Sequence, residues 1–253
     1  MRLRHLPIAC VSVSVLALVA LVSAQAPQPG RETSAASVAS YTLAQQMPRD
    51  PEAIVGALPN GMRYYVRPNG KPARRIELRL VVNAGSVLED DDQQGLAHFV
   101  EHMEFEGTRK FPGRSITDFL SSLGLSIGAD ANAQTGYDDT QYILRVPSDA
   151  PGALDTALAV LQDWTQAATF DQAAIDKQRG IVLSEWRMHL GAGERTADRI
   201  RQAQLEKSRY ADRSPIGKPE SIQNARREQL LKFYRDWYRP NLMAVVVVGD
   251  IDR

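Results

Sequence analysis

The sequence predicts an α+β fold, a mixed and mainly antiparallel sheet packed against helices, and three observations carry the prediction. From residue 47 onward, short strand-like stretches are interspersed with amphipathic stretches of helical period. Elements mixed in this way close as layers around one hydrophobic core. Residues 241–252 (NLMAVVVVGDID) hold an unbroken apolar run followed by a turn, the pattern of a buried strand. The composition, 43% hydrophobic and 24% charged over 253 residues, is that of a chain able to bury a sizeable core.

The elements follow in order. Residues 1–24 carry Arg2 and Arg4, an apolar run through Val22 and the small-residue triplet Val22-Ser23-Ala24, the layout of a secretory signal peptide cut after Ala24. The competing reading is an uncleaved membrane anchor, because residues 6–24 are nearly long enough to span a bilayer, although Ser12 and Ser14 weaken the run. Residues 25–46, rich in Ala, Ser, Pro and Gln, read as a flexible lead-in. Residues 62–67 and 75–83 are strand-like, and the Pro-Asn-Gly-Lys-Pro stretch between them has the turn chemistry of a hairpin. The acidic run from Glu89 to Asp92 precedes a helix over 93–106 and complements its dipole. A short helix is expected at 116–123, then strands at 128–134 and 140–146. Amphipathic helices follow over 151–168 and 171–190, the second capped by Asp171, with others at 195–207 and 227–238. No internal repeat is visible. Residues 47–253 read as one domain, and a stop directly after a core strand leads us to expect a fragment, incomplete at its C-terminal end.

Thirty basic residues balance thirty acidic ones. That excludes the concentrated positive field needed by nucleic-acid binders and polybasic membrane-surface proteins. The one cysteine, Cys10, lies in the segment expected to be removed, so neither a disulfide framework nor a thiolate metal site is available. Any metal must be held by His, Asp or Glu. Of the four histidines, His98 and His102 fall in the string His98-Phe99-Val100-Glu101-His102 on a helix-patterned stretch. At about 100° per residue, His102 lies about 40° round from His98 and Glu101 about 60° to the other side, so all three face one cavity. Two imidazoles one turn apart can chelate a single zinc ion, and a carboxylate on the same arc can reach the metal-bound water without being a ligand.

A catalytic zinc ion normally takes a third protein ligand. Glu185 is the candidate. Gln178 stands two helical turns before it, so both point the same way, beside the apolar Ile181 and Val182. His189, four residues further on, is the rival ligand, with a helix-end role as its plainer reading.

These motifs resemble a family. GLAHFVEHMEFEGTRKFP, then KQRGIVLSEWR, PIGKPESI and FYRDWYRPNLMAVVVVGDID look like the insulinase and pitrilysin family of zinc peptidases, whose signature is His-x-x-Glu-His. The likeness runs from about residue 58 to the end, with four motifs in family order. It implies an insulinase/pitrilysin-like half-domain that binds one Zn2+ through His98, His102 and Glu185 and uses Glu101 as general base in a secreted or periplasmic endopeptidase. Residues 130–142 resemble the stretch whose edge strand receives the substrate backbone, which makes Asn132, Ala133 and Gln134 candidate contacts for a peptide or small protein; the alternative is an ordinary polar loop. Members usually carry a second glutamate where this chain has Gln178. The loss of that negative charge near the metal is expected to lower zinc affinity or rate. Family peptidases close two homologous halves around the substrate, so a second half is expected, in the same longer chain or as a separate subunit. The rival function is a non-catalytic half that binds peptides or a partner subunit. No nucleic acid and, after signal cleavage, no membrane span is expected.

Overall fold

In the computed structural model, which describes residues 48–252, the sheet is set by period-two alternation. The expected signal peptide and lead-in lie outside the described residues. Along β3 (Arg75–Val82), Ile76, Leu78, Leu80 and Val82 are fully buried while Arg75, Glu77, Arg79 and Val81 take the opposite face. β5 (Thr140–Pro147) alternates in phase with it and pairs antiparallel, so that Leu78 faces Leu144 and Leu80 faces Tyr142. On the outer face Glu77 accepts hydrogen bonds from Arg79 at 2.7 Å and Arg145 at 2.8 Å. β1 (Ile54–Ala57), β2 (Arg63–Pro68), β4 (Ala131–Thr135) and β6 (Met243–Gly249) complete six strands in the order β1-β2-β6-β3-β5-β4. β2 and β6 are parallel and every other pair is antiparallel, a mixed sheet of the predicted class.

One expectation is corrected. Residues 62–67 and 75–83 form strands, but not a hairpin, because β6 lies between β2 and β3. The turn chemistry is local, whereas Val245 to Val248 can bury their apolar run only inside the sheet, and that long-range gain decides the pairing. The loop from residue 69 to 74 crosses the end of β6 instead, with Asn69 N–H donating to Gly249 O at 2.6 Å and Arg74 N–H to Asp250 at 2.7 Å. Gly249 permits the crossing, since a Cβ there would stand 2.4 Å from Arg75 O.

The helices are α1 (Leu96–Met103), α2 (Ser115–Ser122), α3 (Ala153–Gln166), α4 (Gln172–Met188), α5 (Ala192–Gln204), α6 (Pro219–Asn224) and α7 (Arg227–Trp237). α3 packs on β3 and β5 through Ala157, Val160 and Trp164, while α1 is enclosed by β4, α4, α6 and α7. α1 is thus a core helix: Leu96, Phe99, Val100 and Met103 are buried, leaving one arc facing the gap between β4 and α4. It is shorter than the predicted 93–106 at both ends: Gly95, at φ +101°, starts it late, and it gives way to a turn at 104–106. Asp171 caps α4 as expected, accepting the Ala173 N–H at 2.9 Å. β1 and α6 escape sequence reading; the first is four residues with Gly56 inside, the second six residues opening on Pro219.

Two devices fix the frame of α1 and α4. Arg179 on α4 donates to the carbonyls of Ile222, Gln223 and Ala225 at the end of α6, at 2.7, 3.0 and 2.9 Å. At the start of α1, Gly217 (φ +73°) lies against Gly95 so closely that a Cβ on Gly217 would stand 2.3 Å from Gly95 Cα. Gly217→Ala therefore combines a disfavoured backbone conformation with a backbone collision and is expected to cost at least about 2 kcal/mol. Urea unfolding followed by circular dichroism measures it, and an unchanged midpoint would show that the 214–217 turn does not brace α1.

Candidate metal centre

The arc of α1 left free of core packing carries His98, Glu101 and His102, and α4 brings Glu185 opposite it. His98 Nε2 and His102 Nε2 are 3.2 Å apart, and Glu185 Oε2 is 3.5 Å from the first and 3.4 Å from the second. Two ligand atoms at about 2.0–2.2 Å from one tetrahedral zinc stand about 3.3–3.6 Å apart, so the triangle fits such an ion. The donor chemistry agrees. Burial, helped by the nearby charges of His102 and His189, pushes the His98 imidazole down to about 3, which keeps it neutral with a lone pair to give. Its Nδ1 is buried without a hydrogen-bond partner. Among the described residues these three form the group of His, Cys, Asp and Glu side chains close enough to share an ion.

His189, the rival, is not in that group. It ends α4, and its Nδ1 lies 3.0 Å from the Glu185 carbonyl. Glu101 lines the same cavity, is 8% exposed and accepts a hydrogen bond from Thr135 Oγ1 at 2.5 Å. Burial raises its carboxyl above the ordinary carboxylate range, opposed by that hydrogen bond and by the charge of His102. Gln178 is buried behind His102, its Oε1 2.9 Å from His102 Nδ1, and its Nε2 donates to Glu106, which also pairs with Lys177 at 2.6 Å. Asn132, Ala133 and Gln134 lie on β4, an edge strand of the sheet, beside the same gap. Asn132 and Gln134 are exposed, and Asn132 Oδ1 accepts the Ala133 N–H at 2.9 Å. A cavity of about 540 Å³ runs from the His–Glu triangle past Phe105 and Arg114, and another of about 460 Å³ from His98 and Glu185 past Met188 and Ile216.

The start of α1 is held by the acidic run. Glu89 is fully buried and accepts the N–H groups of Gly95 at 3.0 Å and Ala97 at 2.8 Å; its neighbours Asp90, Asp91 and Asp92 are exposed. Burial pushes the Glu89 carboxyl up to about 8 against those hydrogen bonds. Thr135 and Glu106 went unpredicted. Thr135 ends a strand 34 residues from Glu101, and nothing in its spacing marks it. Glu106 follows His102 by four residues within the expected helix, but α1 ends at Met103 and Glu106 sits in the turn beyond it, so its contact with Gln178 comes from the turn and not from helical period.

Residues 64–213 match the insulinase family (peptidase family M16), and residues 224–253 match the M16 inactive domain. The chain is 40% identical over 210 residues to PqqL of Escherichia coli, a probable zinc protease, covering 83% of this chain and 23% of that protein. It spans 23%, 22% and 21% of the length of three curated relatives it matches. The crystal structure of the periplasmic protease PqqL from E. coli superposes with a TM-score of 0.79 at 40% identity, over 81% of this chain and 23% of that one. The ferredoxin protease FusC, in a complex with Arabidopsis ferredoxin, superposes with a TM-score of 0.74 at 36% identity, over 79% of this chain and 22% of that one.

Proposed function

The chain belongs to the insulinase family of peptidases, M16, and from that premise we propose that it is the catalytic half of an exported zinc metalloendopeptidase. The observation that carries the reading is the triangle of His98 Nε2, His102 Nε2 and Glu185 Oε2 between α1 and α4. Their spacing and donor types fit one zinc ion, and similar proteins are described as zinc proteases. When bound, zinc supplies a Lewis acid that acidifies a water and polarises the scissile carbonyl. His98 and His102 hold their lone pairs toward the ion from a core helix that cannot rotate. Glu101 takes the water proton and returns it to the departing amine, its carboxylate held by the Thr135 hydroxyl.

Substrate docks as an added strand. β4 is an edge strand and borders the cavity of the triangle, so an extended peptide can pair with its open edge, and the Ala133 N–H now held by Asn132 is a donor for a substrate carbonyl. Main-chain pairing sets little side-chain preference. The ferredoxin complex of FusC supports a small protein as substrate here. The lengths of the relatives, and the structure of a first half of PqqL, support a second homologous half in the same longer chain or as a separate subunit. The periplasmic relative and the signal-like first 24 residues support export, and no described helix is long and apolar enough to cross a membrane.

The test is metal removal. Chelation is expected to abolish hydrolysis of a quenched fluorescent peptide by the purified protein, and one equivalent of zinc per chain should restore it. Activity that survives complete zinc removal would sink the reading.

A further inference from the structure

Gln178 is buried behind His102, and its surroundings show what it is coupled to. Behind His102 runs a single file of hydrogen bonds: His102 Nδ1 to Gln178 Oε1 at 2.9 Å, Gln178 Nε2 to Glu106 Oε1 at 2.5 Å, and Lys177 Nζ to that same oxygen at 2.6 Å. We propose that Glu106 is a positioning residue for the metal centre, which sets the direction of the Gln178 amide and through it the tautomer of His102. The inference rests on the reading of His102 as a zinc ligand.

The argument is one of donors and acceptors. An amide offers an acceptor at one end and a donor at the other, so Gln178 alone would serve either tautomer of His102 by turning over. The Glu106 carboxylate only accepts, which obliges the NH2 end of Gln178 to face it and leaves the oxygen facing His102. An oxygen there demands a proton on Nδ1, and the lone pair then sits on Nε2, the atom aimed at His98 Nε2 and Glu185. A glutamate at position 178 would impose that tautomer by itself; a glutamine needs a second group to break its symmetry. Glu106 supplies that group. It sits 17% exposed in side chain, pinned by Lys177 from α4, so it is held rather than mobile.

Glu106→Ala removes the acceptor; Glu106→Gln keeps a carbonyl oxygen, which Lys177 Nζ, a donor only, holds turned toward Gln178 to take the same hydrogen bond. In the full chain, zinc affinity measured against a competing chelator is expected to fall about tenfold in Glu106→Ala and to stay within about twofold of the parent in Glu106→Gln. Ring 15N shifts of His102 in the metal-free protein should show one tautomer in the parent and in Glu106→Gln, and a mixture in Glu106→Ala. Unchanged affinity and tautomer in Glu106→Ala would overturn the proposal, as would equal losses in both variants, which would reduce the role to charge. Thermal melts of the metal-free proteins separate either result from misfolding. If the parent protein bound no zinc, the metal reading would fail, while the tautomer measurement would still decide the role of Glu106.

Discussion

Glu101→Gln is expected to keep its zinc and lose peptide hydrolysis by about 10²–10⁴-fold, the range attributable to one general base. The side chain is buried and already satisfied by Thr135, and the glutamine oxygen can take the same hydrogen bond, so the fold of α1 and the placement of His98 and His102 should survive. What is lost is the ability to accept a proton. Zinc content by atomic emission, read beside kcat on the same samples, distinguishes the outcomes. A variant that turns over like the parent would remove Glu101 from the chemistry, and one that loses zinc would show that its carboxylate supports the ligands rather than the water.

Glu185→Ala has the largest expected effect on the metal itself. It deletes one corner of a triangle whose other two corners come from a single helix, so two imidazoles must then hold the ion alone. Zinc affinity should drop by more than the roughly hundredfold that loss of an outer hydrogen-bonding partner can cost. His189→Ala, tested in parallel, is expected to bind zinc nearly as the parent does, because the His189 ring faces a backbone carbonyl at the end of α4. The opposite ranking would hand the third position to His189.

How far the sequence could be read depended on the range of the physics involved. His98, Glu101 and His102 ride one helix, and helical period alone fixes their relative directions, so their shared outlook is visible in five letters. Glu185 needs α4 to lie against α1, which no local pattern states; spacing made it a candidate and packing brings it within 3.5 Å. Glu106 and Thr135 take their places from a turn and a strand end, where period gives no bearing. In the fold, β3 and β5 announce themselves through strict alternation. Pairing is another matter: the turn residues between β2 and β3 argue for neighbours, and a valine-rich strand some 170 residues later separates them. Local turn chemistry is worth little against the pairing of β6 on both sides, which buries Met243 and Val247 and partly covers Val245, Val246 and Val248.

That separation bears on how the molecule is made. β6, which joins β1 and β2 to the rest of the sheet, is made after the other five strands, so until it arrives β2 and β3 each present an unpaired edge, the surface on which chains aggregate. Closure waits on contacts between residues far apart in sequence, the condition for slow folding. Its connectivity keeps the sheet open until β6 has been made, and β2 and β3 stay exposed as edges for that interval.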